Sequence, residues 1–95
     1  MRLRHEGDVL VVRLPEECRI FDVEAHWRLA LEVDWAGPGW TVCRLEAGAV
    51  KDMDTAYFQF LLAMSLSARL AGKVFSIAAP NPIIEEIAAL YGQRP

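Results

Sequence analysis

The sequence predicts an α/β fold in which a four-stranded mixed sheet carries about three helices on one face. Short β-branched, apolar runs alternate along the chain with longer segments whose apolar residues recur at helical spacing. A glycine or a proline closes most of these segments. The predicted order is β-β-α-β-α-β-α, and right-handed crossovers would place the helices together on one side of the sheet.

Length and composition predict one globular domain over residues 1–95. Hydrophobic residues make up 54% of the 95 residues, which is enough for a core and too many for a disordered chain. The net charge is -3 and the basic residues are scattered, so we expect no nucleic-acid partner. Two cysteines without a CxxC pair, no signal peptide and no apolar run of 18 residues predict a cytoplasmic protein that does not insert into a membrane.

Four segments have the β-branched, apolar character of strands. The first two are separated by Gly7 and Asp8, which predicts a hairpin. The third follows the Gly37-Pro38-Gly39 turn, and the fourth ends before Pro80. The predicted strands cover residues 2–6, 9–14, 40–45 and 74–79.

The first predicted helix follows Asp22, which we expect to cap its amino end. His26 and Arg28 belong to its predicted solvated side. Its predicted buried stripe consists of Trp27, Ala30, Leu31 and, less regularly spaced, Trp35.

The last predicted helix opens with Asn81 as its cap and Pro82 as its first residue. Gly92 is expected to end it. Its predicted buried stripe is Ile84, Ile87, Ala88 and Tyr91.

The middle helix, predicted from Thr55 to Leu70, begins with an acidic residue and a hydroxyl. Asp54 is placed to accept hydrogen bonds from the amides of Ala56 and Tyr57, and Gly72 to follow the last turn. The Thr55 hydroxyl would then stand at the positive end of the helix dipole, where a phosphate is well received. The plainer alternative is that Asp54 and Thr55 are only a capping pair.

The middle helix also carries more apolar residues than one buried stripe requires. We therefore expect some of them to form a partner-binding patch at the surface. Tyr57 and Met64 lie two turns apart on one face and are the residues expected to be exposed. The alternative, burial between neighbouring helices, stays equally open for Phe60 and Leu61.

No catalytic, metal or cofactor site is predicted. The acid pairs at residues 16–17 and 85–86 are sequence neighbours, so their carboxylates do not converge on one point. His5 and His26 have no partners at metal-ligand spacing. Cys18 lies between acidic residues and Cys43 within a predicted strand, and neither setting activates a thiol.

Several of these features together resemble the STAS family of anti-sigma factor antagonist-like domains. The resemblance covers nearly the whole chain and is strongest where Asp-Thr-Ala opens an apolar helix. The matching segments are Leu14-Pro15, Ile20-Phe21, Met53-Asp54-Thr55-Ala56 with Gln59 and Leu61-Leu62, and Asn81-Pro82-Ile83-Ile84. The resemblance implies a non-enzymatic bacterial protein that acts by binding another protein.

The resemblance also implies roles for individual residues. Thr55 stands where phosphorylatable members carry the residue that a partner kinase modifies. Ala56 stands at the second usual hydroxyl position, which is the acceptor in some sporulation-type antagonists, and cannot be phosphorylated. Tyr57 replaces a usual glycine, and Glu46 stands where many members have an aspartate. The partner-binding residues expected from the resemblance are Asp54, Thr55, Ala56 and Tyr57, and the spacing along the helix adds Met64.

Two branches of the family fit the Asp-Thr-Ala variant. One is regulatory, either anti-sigma factor antagonist-like or chemotaxis-associated, with a kinase-like or signalling protein as partner. The other is the STAS subunit of an Mla-type phospholipid transport ATPase, which would bind the ATPase constitutively. Gln59 and the Phe21-Asp22-Val23 helix entry favour the regulatory branch.

Overall fold

The computed structural model describes residues 1–78 and 81–90. An initial hairpin is followed by three helices and by further strands, two of which are only two residues long. The elements are β1 (Arg2–Glu6), β2 (Val9–Arg13), β3 (Glu17–Cys18), α1 (Ile20–Leu31), β4 (Val42–Glu46), β5 (Asp52–Met53), α2 (Thr55–Leu70), β6 (Val74–Ala78) and α3 (Pro82–Leu90).

The main sheet has the strand order β1-β2-β4-β6. β1 and β2 form the predicted antiparallel hairpin, and Gly7 takes the positive φ of 56° that its tight turn requires. β2, β4 and β6 run parallel, so Val12 lies beside Leu45 and Leu45 beside Ile77. The predicted four-stranded mixed sheet with three helices is confirmed.

The helices share one face of this sheet. Alternate strand residues, including Leu10 and Leu45, form a single buried cluster with Ala30 of α1, Tyr57 of α2 and Ile84 of α3. The opposite, open face carries a row in which Val11 lies between Arg4 and Arg44. Val11 is nevertheless buried, as expected where long arginine side chains cover an apolar neighbour.

Two predicted strands differ from the structure in their limits, since β2 ends at Arg13 and not at residue 14, and β4 spans Val42–Glu46 and not residues 40–45. The third strand, β4, begins at Val42. Trp40, two residues earlier, is buried, and its ring lies 5.9 Å from the Trp35 ring between centroids. The fourth, β6, ends at Ala78, and Ala79 and Pro80 lie outside the described residues.

The predicted amino-terminal cap of α1 was wrong. The helix begins at Ile20 with Arg19 in the cap position. Asp22 lies in the first turn instead and accepts a hydrogen bond from the Arg19 amide at 3.3 Å. The two residues therefore form part of a capping box, in which an acidic side chain satisfies the cap residue's own amide.

The predicted buried stripe of α1 was wrong at Trp27 and Leu31, whereas Ala30 is buried and Trp35 packs against the core. Leu31 remains 68% exposed and Trp27 43% exposed, whereas His26 is half-buried. Trp27 rests against the Phe60 ring at 5.8 Å, so α1 turns its His26 side toward α2 and leaves the tryptophan at the margin. Trp35 follows the helix and is half-buried.

The capping signals of α2 and α3 are confirmed. α2 spans Thr55–Leu70 as predicted, and Gly72 has a φ of 78° just after the last turn. The buried Asn81 accepts hydrogen bonds from the Ile83 and Ile84 amides at 2.9 and 3.3 Å. The stripe of α3 is confirmed at Ile84 and Ile87, whereas the Ala88 side chain, Tyr91 and Gly92 lie outside the described part of the chain.

No helix in the described part of the chain combines the length and the apolar character that a membrane crossing requires.

Candidate functional site

Two very short strands bring the beginnings of α1 and α2 together. β3 and β5 pair in parallel, with Glu17 beside Asp52 and Cys18 beside Met53. Each strand leads directly into a helix, and the Asp54 amide donates to the Cys18 carbonyl at 3.0 Å. The amino termini of the two helices consequently lie side by side, which the sequence did not predict.

Asp54 joins these two helix termini through one carboxylate. Its Oδ1 accepts from the Tyr57 amide at 2.9 Å, so the predicted cap of α2 is confirmed. Its Oδ2 accepts from the Ile20 amide in the first turn of α1 at 2.6 Å. Amides to a carboxylate make strong hydrogen bonds, and both helix dipoles favour a negative charge at this point. Asp54 therefore caps α2 and also fixes the amino terminus of α1 beside that of α2.

Thr55 is exposed at the first position of α2, as predicted. Ala56 beside it is half-buried. Two apolar residues of the neighbouring helix terminus accompany them, with Ile20 58% and Phe21 89% exposed. We call the group formed by Ile20, Phe21, Asp54, Thr55 and Ala56 the Thr55 surface.

Sequence reasoning did not identify Ile20 and Phe21 as members of a surface. Phe21 was assigned only to the helix entry. The available signal concerned Phe21 alone, which stands outside the spacing that places Val23 and Ala30 on the inner side of α1. Ile20 lies three residues before Val23, so helical spacing gave no signal of its exposure. An exposed phenylalanine in a first helical turn is the kind of side chain that anchors a protein interface.

The charges near Thr55 include a cation as well as acidic groups. Arg19 forms a salt bridge with Asp52 and lies 4.0 Å from a Glu17 carboxylate oxygen. Glu46, in contrast, points to the open face of the sheet, where it meets Arg4, Arg13 and Arg44 at 3.5 to 3.7 Å. Arg19 is thus a cation close to the helix termini, and the Glu46 carboxylate is engaged on the other side of the sheet.

The predicted exposure of Tyr57 and Met64 was wrong. Tyr57 is 0% exposed and Met64 is 3% exposed. α1 covers this side of α2, and the Tyr57 hydroxyl shares a hydrogen bond of 2.6 Å with His26 Nδ1. A buried tyrosine is tolerated when its hydroxyl is satisfied in this way. Both residues belong to the core beneath the Thr55 surface and do not form part of it.

Burial shifts the pKa values of the two hydrogen-bonded residues beneath the Thr55 surface, Tyr57 and His26. It is the main cause that raises the pKa of Tyr57, with the nearby Cys18 and Asp22 adding to the effect. Burial also lowers the pKa of His26, and the Met1 amino group, 3.2 Å from Nε2, acts in the same direction. The His26–Tyr57 pair is therefore an uncharged hydrogen-bonded link between α1 and α2 at neutral pH.

Both cysteines are buried. Burial raises the pKa of Cys18 and that of Cys43 to about 11 in each case. Both thiols are consequently protonated at neutral pH, and a protonated thiol is a poor nucleophile. Among the described residues, no three histidine, cysteine, aspartate or glutamate side chains are grouped so that they could hold a metal ion.

No protein-family model matches the chain, and no curated protein matches its sequence significantly. Solved structures do match its fold. The Bacillus anti-sigma factor antagonist SpoIIAA has a TM-score of 0.73 and 16% identity in both its phosphorylated and its unphosphorylated form. The match covers 96% of this chain in each case, and 82% and 79% of SpoIIAA respectively. The chain has a STAS-like fold.

Two further structures show how differently this fold is used. The protein TM1081 matches with a TM-score of 0.77 and 17% identity, over 95% of this chain and 71% of that one. Mglu matches with a TM-score of 0.74 and 16% identity over 86% of this chain, which corresponds to only 20% of Mglu. The STAS-like fold thus forms most of some proteins and a small part of others, so the fold does not by itself define an activity.

Proposed function

We propose that this protein is a non-enzymatic, cytoplasmic protein–protein interaction module of a bacterial regulatory pathway, similar in role to an anti-sigma factor antagonist. We propose that it binds its partner through the Thr55 surface. The observation that carries the proposal is the exposed Thr55 hydroxyl beside the exposed Phe21 side chain, on two helix termini joined by Asp54.

Phe21 provides the apolar anchor of this surface. A side chain that is 89% exposed loses most of its contact with water when a partner covers it. Asp54 holds both helix termini in place, so little backbone ordering remains to be done on binding. Asp54, Thr55 and Ala56 keep the partner-binding role expected of them, with Ile20 and Phe21 as their neighbours in place of Tyr57 and Met64.

Thr55 is the proposed phosphorylation site. A phosphate would add a charge of about -1.5 to -2 at neutral pH to a surface that already contains Asp54. The Asp54 oxygens already accept the Tyr57 and Ile20 amides, so these two amides are not free to receive the phosphate. A partner that packs against Phe21 would have to remove water from this near-dianion, which opposes binding strongly.

Quantitative affinity purification from the native host tests the proposal. We expect the wild type to retain a partner, Phe21→Ala to weaken its retention by at least roughly tenfold, and Thr55→Glu to abolish it. Leu31→Ala is the matched control, because Leu31 is a similarly exposed apolar residue at the other end of α1. Equal retention by all four proteins would contradict a role for the Thr55 surface.

Thr55→Ala separates the regulatory role from the alternative, a constitutive subunit of an Mla-type phospholipid transport ATPase. A regulatory partner released by phosphate should still bind Thr55→Ala, since the variant removes the modification site and leaves the apolar anchor. A constitutive ATPase contact that uses the threonine hydroxyl should already be loosened by this substitution. Mass spectrometry of the retained protein then identifies which class of partner is present.

A further inference from the structure

The two outer edges of the main sheet have opposite character. β1 carries Arg2, Arg4 and Glu6 among its five residues, whereas β6, from Val74 to Ala78, has no charged residue. Charged side chains on an edge strand hinder pairing with another chain. β1 is therefore protected against such pairing, and β6 is not.

Lys73, the cation next to β6, does not protect this edge. Its Nζ donates to the carbonyls of Gly37 and Trp40, both at 2.7 Å, and lies 4.6 Å from the centre of the Trp40 ring. The ammonium group is thus held against the turn that precedes β4. An edge lysine that faced solvent would discourage strand addition, and this one faces the protein.

The backbone of β6 is also arranged for pairing. The Val74 amide donates to the Thr41 carbonyl at 2.9 Å, so it points toward β4. Amides alternate in direction along a strand, and the amides and carbonyls of Phe75 and Ile77 consequently point away from β4. Within residues 1–78 and 81–90, no strand pairs with that outer side.

We propose that β6 is a dimerisation edge that pairs antiparallel with β6 of a second copy, about a twofold axis at Ser76. This register places Phe75 of each copy opposite Ile77 of the other. Both residues direct their backbone groups outward, so each pair exchanges two hydrogen bonds, making four in all. An isologous contact of this kind closes with two copies.

The side chains of β6 are self-complementary in this register. Phe75 and Ile77 lie on the helix side of the sheet, where both are only half-buried, and an aromatic residue opposite a β-branched one is a favourable cross-strand pair. On the open face Ser76 meets Ser76 and Val74 meets Ala78. β6 has no charged residue, so pairing with an identical strand leaves no charge without a counterpart. A second copy therefore fits better than a foreign segment that is recognised through its charges.

The proposal is independent of partner binding, because β6 shares no residue with the Thr55 surface. Sedimentation velocity of the wild type over a concentration series should show a monomer–dimer equilibrium. Amide exchange followed on the same samples should slow at Phe75 and Ile77 as the concentration rises, with no change at the outer edge of β1. A wild type that remains monomeric up to about 1 mM would overturn the proposal.

Charge variants at Ser76 test the register. Ser76→Glu places two carboxylates opposite each other at the axis, and we expect it to weaken the dimer by roughly fivefold or more. Arg44, the β4 neighbour of Ser76, compensates the new charge within each monomer. Ser76→Lys should also be weakened, and an equimolar mixture of the two variants should regain dimerisation because Glu then faces Lys.

Ala25→Glu and Ala25→Lys, at an exposed position of α1, are the matched controls and should dimerise as the wild type does. Circular dichroism verifies that every variant is folded. A dimer that survives Ser76→Glu, or a mixture that fails to regain dimerisation, would overturn the β6 pairing. Loss of dimerisation in the Ala25 variants would do the same, since it would place the contact on the helices.

Discussion

The first turn of α2 and the face of α2 directly beneath it have opposite environments, although both lie within one helix. Thr55 is exposed and Ala56 half-buried, whereas Tyr57 and Phe60 are enclosed. Tyr57 contacts Phe60 edge to face at 5.4 Å and meets His26 of α1 through its hydroxyl. The comparison shows that residue type did not decide exposure in this helix. Exposure of a residue in α2 depends on whether α1 covers its side of the helix.

The outward side of the same helix supports this interpretation. Leu66 is 54% exposed and Leu70 is 79% exposed, whereas the less hydrophobic Tyr57 is fully buried. The outward side of α2 is accordingly accessible to other molecules, whereas its inner face packs against α1. Substitutions on the two sides should therefore affect different measurements.

The largest effect is expected from Tyr57→Ala. Removing a fully buried aromatic ring leaves a cavity and removes the hydrogen-bond partner of His26 Nδ1, and we expect the free energy of unfolding to fall by about 3–5 kcal/mol. Urea denaturation measures this change. Gln59→Ala, on the exposed side two residues later, is the control and should change stability by no more than about 0.5 kcal/mol. Similar values for the two variants would contradict the difference between the faces.

Asp54→Ala should have the next largest effect on stability. It removes the acceptor for the Tyr57 and Ile20 amides, and the loss of a cap alone lowers stability by about 1–2 kcal/mol. Asp54→Asn should lower the free energy of unfolding less, because its one side-chain carbonyl oxygen can still accept the hydrogen bond from the Tyr57 amide of α2. If the asparagine variant were as unstable as the alanine variant, the bridge to Ile20 would be more important than the α2 cap.

A smaller effect is expected from pH. Burial lowers the pKa of His26, so on acidification the unfolded chain binds a proton before the folded protein does. The free energy of unfolding should therefore be highest above the ordinary histidine pKa and fall as the pH drops from about 7 toward 5. His26→Gln should show a flatter dependence in this range. An unchanged slope in urea titrations of this variant would rule out His26 as its source.

The smallest effect on stability is expected from Thr55→Glu, the substitution with the largest expected effect on partner binding. The helix dipole favours the new carboxylate by about 0.3–1 kcal/mol, and the Asp54 charge opposes it. The midpoint of thermal unfolding should stay close to that of the wild type. A large decrease, or a loss of helical signal, would mean that a charge at position 55 acts by unfolding the domain and not at the interface.

Local signals in the sequence determined much of this molecule. The strand–helix order, the cap at Asp54, the Asn81–Pro82 helix start and the positive φ of Gly72 all depend on residues within a few positions of one another. Such short-range preferences act before any tertiary contact forms. For that reason α2 could be predicted to the residue, and Thr55 could be identified as an exposed candidate.

Only the tertiary structure decided what surrounds Thr55. The Asp54–Ile20 hydrogen bond joins residues 34 positions apart, and the His26–Tyr57 hydrogen bond spans 31 positions. Helical spacing indicates that α1 and α2 each have an apolar side, but it does not specify which neighbour covers that side. The pairing of β3 with β5 placed the two helix termini together, buried Tyr57 and left Phe21 in solvent. The Thr55 surface was therefore set by packing between distant segments, which the local pattern of residues does not encode.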